Sequence, residues 1–341
     1  MAGLSDIASL TELFRGGADL KPENCDEFLD LVRSTSDEAA LAGMFAAWNT
    51  KGIAEDEIFG LASAMRKRCI KVTTRHENFV DIVGTGGSSV KTFNVSTAAA
   101  FVAAGAGVPV AKHGNRAATS GTGSADVLFE LGVTAAADPA TAERCLNKIG
   151  ICFMFAPNFH SLSPILARVR RGLGFPTIFN CVGPLCNPAG APFQLIGVWD
   201  KDLVPKMAGA LTRLGTRRSW IVHGLNGLDE ISLSGPTLFA DVCDSSFTVG
   251  NVEFPPGVGQ GEQARATSFT TKESADLIRR IVTDQQPGSA EEATVLVNAM
   301  AAIFLSRAAD DLSAAYGMAV DSIRSGNAGE KLEQLIMESA K

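Results

Sequence analysis

Aromatic rings are scarce in this sequence: 341 residues hold a single tyrosine and 3 tryptophans. The core must therefore be built mainly from Ala, Leu, Val and Ile. A surplus of positive charge is missing too. Lysines and arginines number 30 against 37 acids, leaving a formal charge of −7, which argues against a general nucleic-acid or membrane-surface role, because such surfaces select basic domains. Any anionic ligand must then be met locally, by loops and helix ends. The 7 cysteines (Cys25, Cys69, Cys145, Cys152, Cys181, Cys186, Cys243) include no C-x-x-C pair. That scatter reads as free, buried thiols in a reducing compartment. Apolar stretches break off well before the roughly 20 residues of a membrane span. The first residues carry acids and no continuous apolar run, so no secretory leader is visible. The expected setting is the cytoplasm.

The length suits one large or two modest domains, and the chain changes character near residue 75. Before that point "CDEFLDLVRS", "DEAALAGMFAAWNTKG" and "AEDEIFGLASAMRKRC" repeat apolar residues at helical spacing. The last of these carries acids early and bases late, as the helix dipole favours. This predicts a small all-helical domain, 1–75, of about four helices, with "MAGLSDIASLTELFRGG" as an extra helix or a loose arm. From residue 76 to 341 the rhythm becomes strand, glycine loop, helix. "NFVDIV", "VPVAKH", "GICFMFAP", "PFQLIGVW" and "SWIVHG" read as strands; "VSTAAAFVAAGAG", opened by Asn94 or Ser96, "TGSADVLFELG" and "DLVPKMAGALTRLG" read as helices. The alternation implies an α/β domain with a mostly parallel central sheet flanked by helices, and ligand loops at the strand C-termini. The 164–190 segment, from "SPILARVRRGLGF" onward, is expected to pack back on the N-terminal helices.

Two loops concentrate small residues. "GTGGSSVKTFN" follows the first strand, and "KHGNRAATSGTGS" ends the second. Bare backbone can approach an anion there, and the next helix N-terminus supplies oriented N–H groups. Two familiar phosphate-binding patterns fail. A dinucleotide fingerprint needs glycine at position 89, which is Ser89, and a P-loop needs glycine before Lys91-Thr92, where Val90 stands. One glycine loop alone is as well explained by a turn. Two on neighbouring strands, the second with Lys112, Arg116 and Ser120, suit a ligand with two anionic ends.

The run "DIVGTGG…KTFNVSTAAAFVAAGAGVPVAKHGNRAATS" resembles the signature of the anthranilate phosphoribosyltransferase family, within the nucleoside phosphorylase/phosphoribosyltransferase fold. "NTKGIAEDEIFGLASAMR", "FMFAPNFH", "VRRGLGFPTIFNCVGPLCNPA", "VHGLNGLDEIS" and "VLVNAMAAIF" follow in the family's order, so the resemblance spans nearly the whole chain. It implies transfer of a 5-phosphoribosyl group from phosphoribosyl pyrophosphate to the amine of anthranilate. It also implies magnesium (two ions) and a homodimer formed through the helical domain, with no nucleic acid and no membrane. Carried over by motif position, Gly84, Gly87, Ser88, Thr92, Asn94, Val95, Ser96 and Thr97 would bind the donor. Lys112, His113, Gly114, Asn115, Arg116, Ala117, Ala118, Thr119 and Ser120 would wrap it, with Ser124 completing the pocket. Gly84, Asn115, Arg170 and His160 would meet anthranilate, Asn115 and Arg170 by positioning rather than acid–base work. Ser96, Asp229 and Glu230 would hold magnesium. A guanidinium suits the acceptor carboxylate because it donates two parallel hydrogen bonds. Adjacent carboxylates with substrate phosphate oxygens are the usual way magnesium is held.

One departure stands out. The family loop usually reads GTGGD, and here the acid is Ser88. A serine donates and accepts hydrogen bonds but carries no charge to hold a cation. Two other readings remain open. One is a relative of the same fold, either a transferase with another acceptor or a pyrimidine nucleoside phosphorylase; "KHGNR", "NVST" and Arg170 speak against the phosphorylase. The other is a non-catalytic nucleic-acid-binding relative, which would need a basic surface and eroded metal acids.

Overall fold

The computed structural model describes residues 6–88, 90, 92–116, 122–258 and 269–341. Four helices come first: α1 (Ile7–Arg15), α2 (Cys25–Ser34), α3 (Glu38–Lys51) and α4 (Glu55–Arg68). Within the leading stretch Ile7–Arg15 forms a helix, capped by the Asp6 side chain, which accepts from Ser9 N at 2.8 Å. Asp37 caps α3 in the same way through Ala40 N at 2.9 Å. Helix α4 has Glu55, Asp56 and Glu57 in its first turn and Arg66, Lys67 and Arg68 in its last. Of these acids Glu57 is fully buried, accepting from Leu20 N, Ala54 N and Trp48 Nε1 at 2.9 Å and from Lys51 Nζ at 3.0 Å. Four donors on one carboxylate offset the cost of burying its charge.

The α/β part runs β1 (Val80–Gly84), α5 (Val95–Gly105), β2 (Val110–Gly114), α6 (Ser124–Glu130), α7 (Pro139–Ile149), β3 (Ile151–Phe155) and α8 (Ala156–Phe159). It continues through α9 (Pro164–Leu173), α10 (Ile178–Val182), β4 (Phe193–Gly197), α11 (Leu203–Leu214), β5 (Arg218–Gly224), β6 (Thr237–Cys243) and β7 (Ser246–Asn251). Helices α12 (Thr271–Val282), α13 (Ala290–Leu305), α14 (Leu312–Arg324) and α15 (Asn327–Ser339) close the chain. One seven-stranded sheet has the order β3-β2-β1-β4-β5-β6-β7. Its first five strands are parallel, and β6 and β7 extend it antiparallel. Strand order reverses between β1 and β4, where Gly84 lies opposite Gly197. Open α/β sheets bind ligands at such a point, beyond the strand carboxyl ends.

The two faces of the sheet are covered differently. Helix α5 lies against one face beneath α12–α15, and is apolar nearly all round because it is buried nearly all round. Its alanines permit that close packing, and at Gly105 a Cβ would come within 2.3 Å of Ser322 Oγ. Helices α1–α4, α9, α10 and α11 cover the other face in one continuous apolar cluster, from Phe14, Phe28, Phe45 and Trp48 to the sheet residues Val83, Ile196 and Ile221. Side chains from 164–190 lie in the same apolar cluster as side chains of the N-terminal helices. Leu166, Val169 and Phe179 share their cluster, and Arg168 meets Glu38 at 2.7 Å.

Candidate active site

A cleft of about 280 Å³ opens at the switch point. Its floor is the carboxyl ends of β1 and β2, one wall is the loop after β5, and the other comes from α9 and α10. No residue of α1–α4 lines it; the helical side of the cleft is supplied by 164–190 alone.

The loop after β1 turns on Gly86 and Gly87, both at positive φ (63° and 83°), a conformation that side chains resist. At Gly87 a Cβ would also lie 2.6 Å from Pro176 Cγ. Thr85 locks the turn: its N–H donates to Gly197 O at 2.9 Å, its hydroxyl accepts from Trp199 N at 3.2 Å, and its carbonyl accepts from Asn180 Nδ2 at 3.0 Å. Asn94 then takes a φ of 26° just before α5, and its side-chain oxygen accepts from Thr122 Oγ1 at 3.0 Å instead of capping the helix. The first N–H groups of α5 have no partner within the helix, so they offer an anion-binding end to the cleft.

Beneath the loops lies a buried polar cluster. Lys112 donates to Ile82 O at 2.5 Å and to Ser96 Oγ at 3.2 Å. Asp81, fully enclosed, accepts from His113 N at 3.1 Å and from Asn187 Nδ2 at 2.8 Å. Burial raises the Asp81 carboxyl to about 6, opposed by the charge of Lys112, and lowers Lys112 to about 8, opposed by Asp81. His113 packs edge-on against His160 with ring centroids 5.1 Å apart. Burial pushes His113 down to about 3, helped by the neighbouring His160, and brings His160 to about 4. Both imidazoles are neutral at physiological pH.

On the opposite wall, Gly224 N bonds Leu228 O at 2.9 Å, closing a tight loop that delivers Asp229 and Glu230 to the cleft. The approach is close: a Cβ on Gly197 would lie 1.6 Å from Asp229 O, and one on Gly84 would lie 3.1 Å from Asp229 Oδ2. Glu230 accepts from Thr92 Oγ1 at 3.1 and 3.3 Å. Burial first and the charge of Asp229 second push the Glu230 carboxyl up, so this pair favours a cation beside it. Among the described residues no three or more His, Cys, Asp or Glu side chains cluster as a metal site. Two carboxylates and a hydroxyl fit an ion that takes its other oxygens from substrate and water, as magnesium does.

Arg170 faces the cleft from α9. Its Nη2 donates to Asn180 Oδ1 at 3.0 Å, its guanidinium lies 5.5 Å from the Phe179 ring centroid, and its Nε is buried without a partner among the described residues. Desolvation lowers it only to about 10, so it stays charged and able to pair with a carboxylate.

Of the sequence-derived candidates, Gly84, Gly87, Ser88, Thr92, Asn94, Ser96, Lys112, His113, Gly114, Asn115, Arg116, Ser124, Arg170, Asp229 and Glu230 all line the cleft. Val95 and Thr97 do not, being buried in the first turn of α5, so only their backbone lies near the anion-binding end. His160 lies behind His113, outside the lining. Lys112 is also turned under the site, its ammonium bonded to protein oxygens. Ala117, Ala118, Thr119 and Ser120 fall outside the described residues. Sequence reasoning overlooked Asn180, which ties Arg170 to the β1 loop, and Asp81 with Asn187 below the floor. The capping pattern at Thr177–Asn180 was a signal for the first. An acid opening the "DIVG" strand, where burial is expected, was a signal for the second.

Residues 76–329 match the glycosyl transferase family, a/b domain. The anthranilate phosphoribosyltransferase of Moorella thermoacetica is 42% identical over 324 residues, covering 94% of each chain. The crystal structure of the Thermus thermophilus anthranilate phosphoribosyltransferase superposes with a TM-score of 0.85 at 33% identity, covering 97% of this chain and 99% of that one. The Saccharomyces cerevisiae anthranilate phosphoribosyltransferase in complex with PRPP and Mg gives 0.85 at 26% identity, covering 98% of both chains. The yeast protein has also been solved with 4-fluoroanthranilate.

Proposed function

The chain belongs to the anthranilate phosphoribosyltransferase family, and we infer that its cleft carries the family's reaction. The protein is a glycosyltransferase of tryptophan biosynthesis. It transfers the 5-phosphoribosyl group of phosphoribosyl pyrophosphate to the amine of anthranilate, giving N-(5-phosphoribosyl)anthranilate and pyrophosphate. The observation that carries this reading is the pairing across one cleft of an anion-binding floor and two acids with Arg170, whose Nε has no partner among the described residues.

In this reading the β1 loop, the first turn of α5 and the loop after β2 enclose the donor's phosphates and sugar. Asn115 and Gly84 lie at the junction between donor and acceptor. Arg170 receives the anthranilate carboxylate and is aimed by Asn180. Magnesium, named with the yeast enzyme, would be held by Asp229, Glu230 and Ser96, and two ions is the stoichiometry proposed. When bound, it stabilises the charge that gathers on the departing pyrophosphate. The chain's own residues supply position and oriented dipoles. An aromatic amine is neutral at pH 7 and attacks without a base. The proposal further includes a cytoplasmic setting, a homodimer formed through α1–α4, and a division into a helical part, 1–75 with 164–190 against it, and a donor-binding part, 76–341. No helix among the described residues is long and apolar enough to cross a membrane.

The test follows anthranilate fluorescence on mixing protein, phosphoribosyl pyrophosphate and magnesium, with the donor omitted as control. A donor- and magnesium-dependent decrease, abolished by Asp229→Asn with Glu230→Gln, is expected. Folded protein that leaves the fluorescence unchanged across a wide magnesium range would overturn the assignment.

A further inference from the structure

The geometry points to Ser88 as a positioning residue that ties the donor loop to the acid loop by a hydrogen bond, a role that an ionised acid at this place could not fill. The inference rests on the transferase reading and concerns how this chain arranges that site.

Ser88 is buried, with 4% of its surface exposed. Its hydroxyl oxygen lies 2.6 Å from Gly227 O, 139 residues away in sequence, and 2.8 Å from Val90 O. Val90 O and Gly227 O are carbonyls, which only accept, so toward them the side chain must donate. The hydroxyl has one hydrogen, and the shorter contact is the one that spans the two loops. Gly227 is held in its turn by its N–H to Gly224 O at 2.8 Å and by a φ of 93°, two residues before Asp229. Thr92 makes a second tie four residues on, donating to the Glu230 carboxylate. The donor loop therefore grips the acid loop at two points, one before Asp229 and one at Glu230. A carboxylate at position 88 would set negative charge against two carbonyl dipoles in a buried site, and would need a cation between them.

Calorimetry of phosphoribosyl pyrophosphate binding, repeated across magnesium concentrations, tests this in the wild type, Ser88→Ala, Ser88→Cys and Ser88→Asp. Ser88→Ala should bind the donor about 5- to 10-fold more weakly at every magnesium concentration, the size of one lost hydrogen bond. Ser88→Cys keeps a side chain in place with a weaker donor, so it should shift the same way even if the alanine variant folds poorly. Ser88→Asp should bind weakly at low magnesium and recover as magnesium rises. In steady state, the donor KM should rise more than kcat falls, with anthranilate KM within about twofold. Alanine and cysteine variants that bind like the wild type at all magnesium concentrations would overturn the role of Ser88. Wild-type protein that neither binds the donor nor turns over would instead overturn the transferase reading.

Discussion

On the proposed assignment the guanidinium of Arg170 is aimed before any acceptor arrives: Nη2 donates to Asn180, the plane rests near Phe179, and Nε has no partner among the described residues. A carboxylate entering the cleft meets a cation already partly desolvated, so its hydrogen bonds count more than they would in water. Arg170→Ala should raise the anthranilate KM about 10- to 100-fold, the range for hydrogen bonds to charged groups, with the donor KM within about threefold. Initial rates at varied anthranilate and saturating donor measure this. The histidines make a different prediction. His160 stands at about 4 in the folded chain against an ordinary 6.5. The unfolded chain therefore binds more protons between those values, and stability falls as pH drops through that window. Going from pH 7 to pH 5 this one group should cost on the order of 2 kcal/mol. Asp81, raised to about 6, works in the opposite direction, and Lys112, near 8, stays protonated throughout. The comparison that isolates His160 is His160→Gln, which should lose about 2 kcal/mol less than the wild type over that step, by denaturant unfolding at both pH values.

Glycines separate two kinds of constraint at the scale of elements. Gly197, at the end of β4, has the Asp229 backbone where a Cβ would go. Backbone cannot swing aside as a side-chain tip can, so Gly197→Ala must move the acid loop. Catalytic efficiency should fall by at least about 100-fold while far-UV circular dichroism keeps the wild-type shape. Gly172, in α9, has open space around it. Gly172→Ala should stabilise by up to about 1 kcal/mol through helix propensity, read from the urea midpoint. The same contrast explains what is legible in the sequence. Strands β1 to β5 are short, buried along nearly their whole length and each built on a few apolar residues, and the loops after β1 and β2 are marked by glycine, so both stand out from residue pattern. The β6–β7 hairpin does not. Strand β7 is a short edge with nearly every residue exposed: "SFTVGN" alternates polar and apolar residues over only four positions, and its apolar members, Phe247 and Val249, stay exposed, so the pattern marks no buried face. The hairpin's tight turn falls at Asp244, a non-glycine at φ 51°, which sequence marks weakly. The residues that line the cleft are readable through their motifs. The supports that aim them, Asn180, Asp81 and Asn187, join segments about 95 and 106 residues apart, and no local pattern announces such pairings.

Across the whole molecule, the change of character near residue 75 does not coincide with a break in the core. Trp48, Phe45, Met65 and Leu61 of the helical part belong to one apolar cluster with Met207 and Leu211 of α11 and with Val83, Ile196 and Ile221 of the sheet. The opposite face of the same strands is packed by α5, α7 and α12–α15. Adjacent residues of one strand thus serve both cores: Ile82 faces one and Val83 the other. Removing α1–α4 would strip one side of the sheet, so neither part can melt without exposing the other. Calorimetric heating should then give one transition, with no separate early melting of the helical part, and two resolved transitions would sink the argument. The cleft couples to this unit because its walls come from loops fixed to the sheet and from α9 and α10, which belong to the cluster of the helical part. Donor with magnesium, present at about 100 times its dissociation constant, should add about 2.7 kcal/mol of stability. For a chain of this length that moves the midpoint up by about 4 °C. The shift should appear in the single transition as a whole, since the ligand touches both sides of a structure that unfolds together. With Asp229→Asn and Glu230→Gln the transition should remain single while the donor-induced rise is lost, which separates the role of the acids in binding from any role in holding the fold.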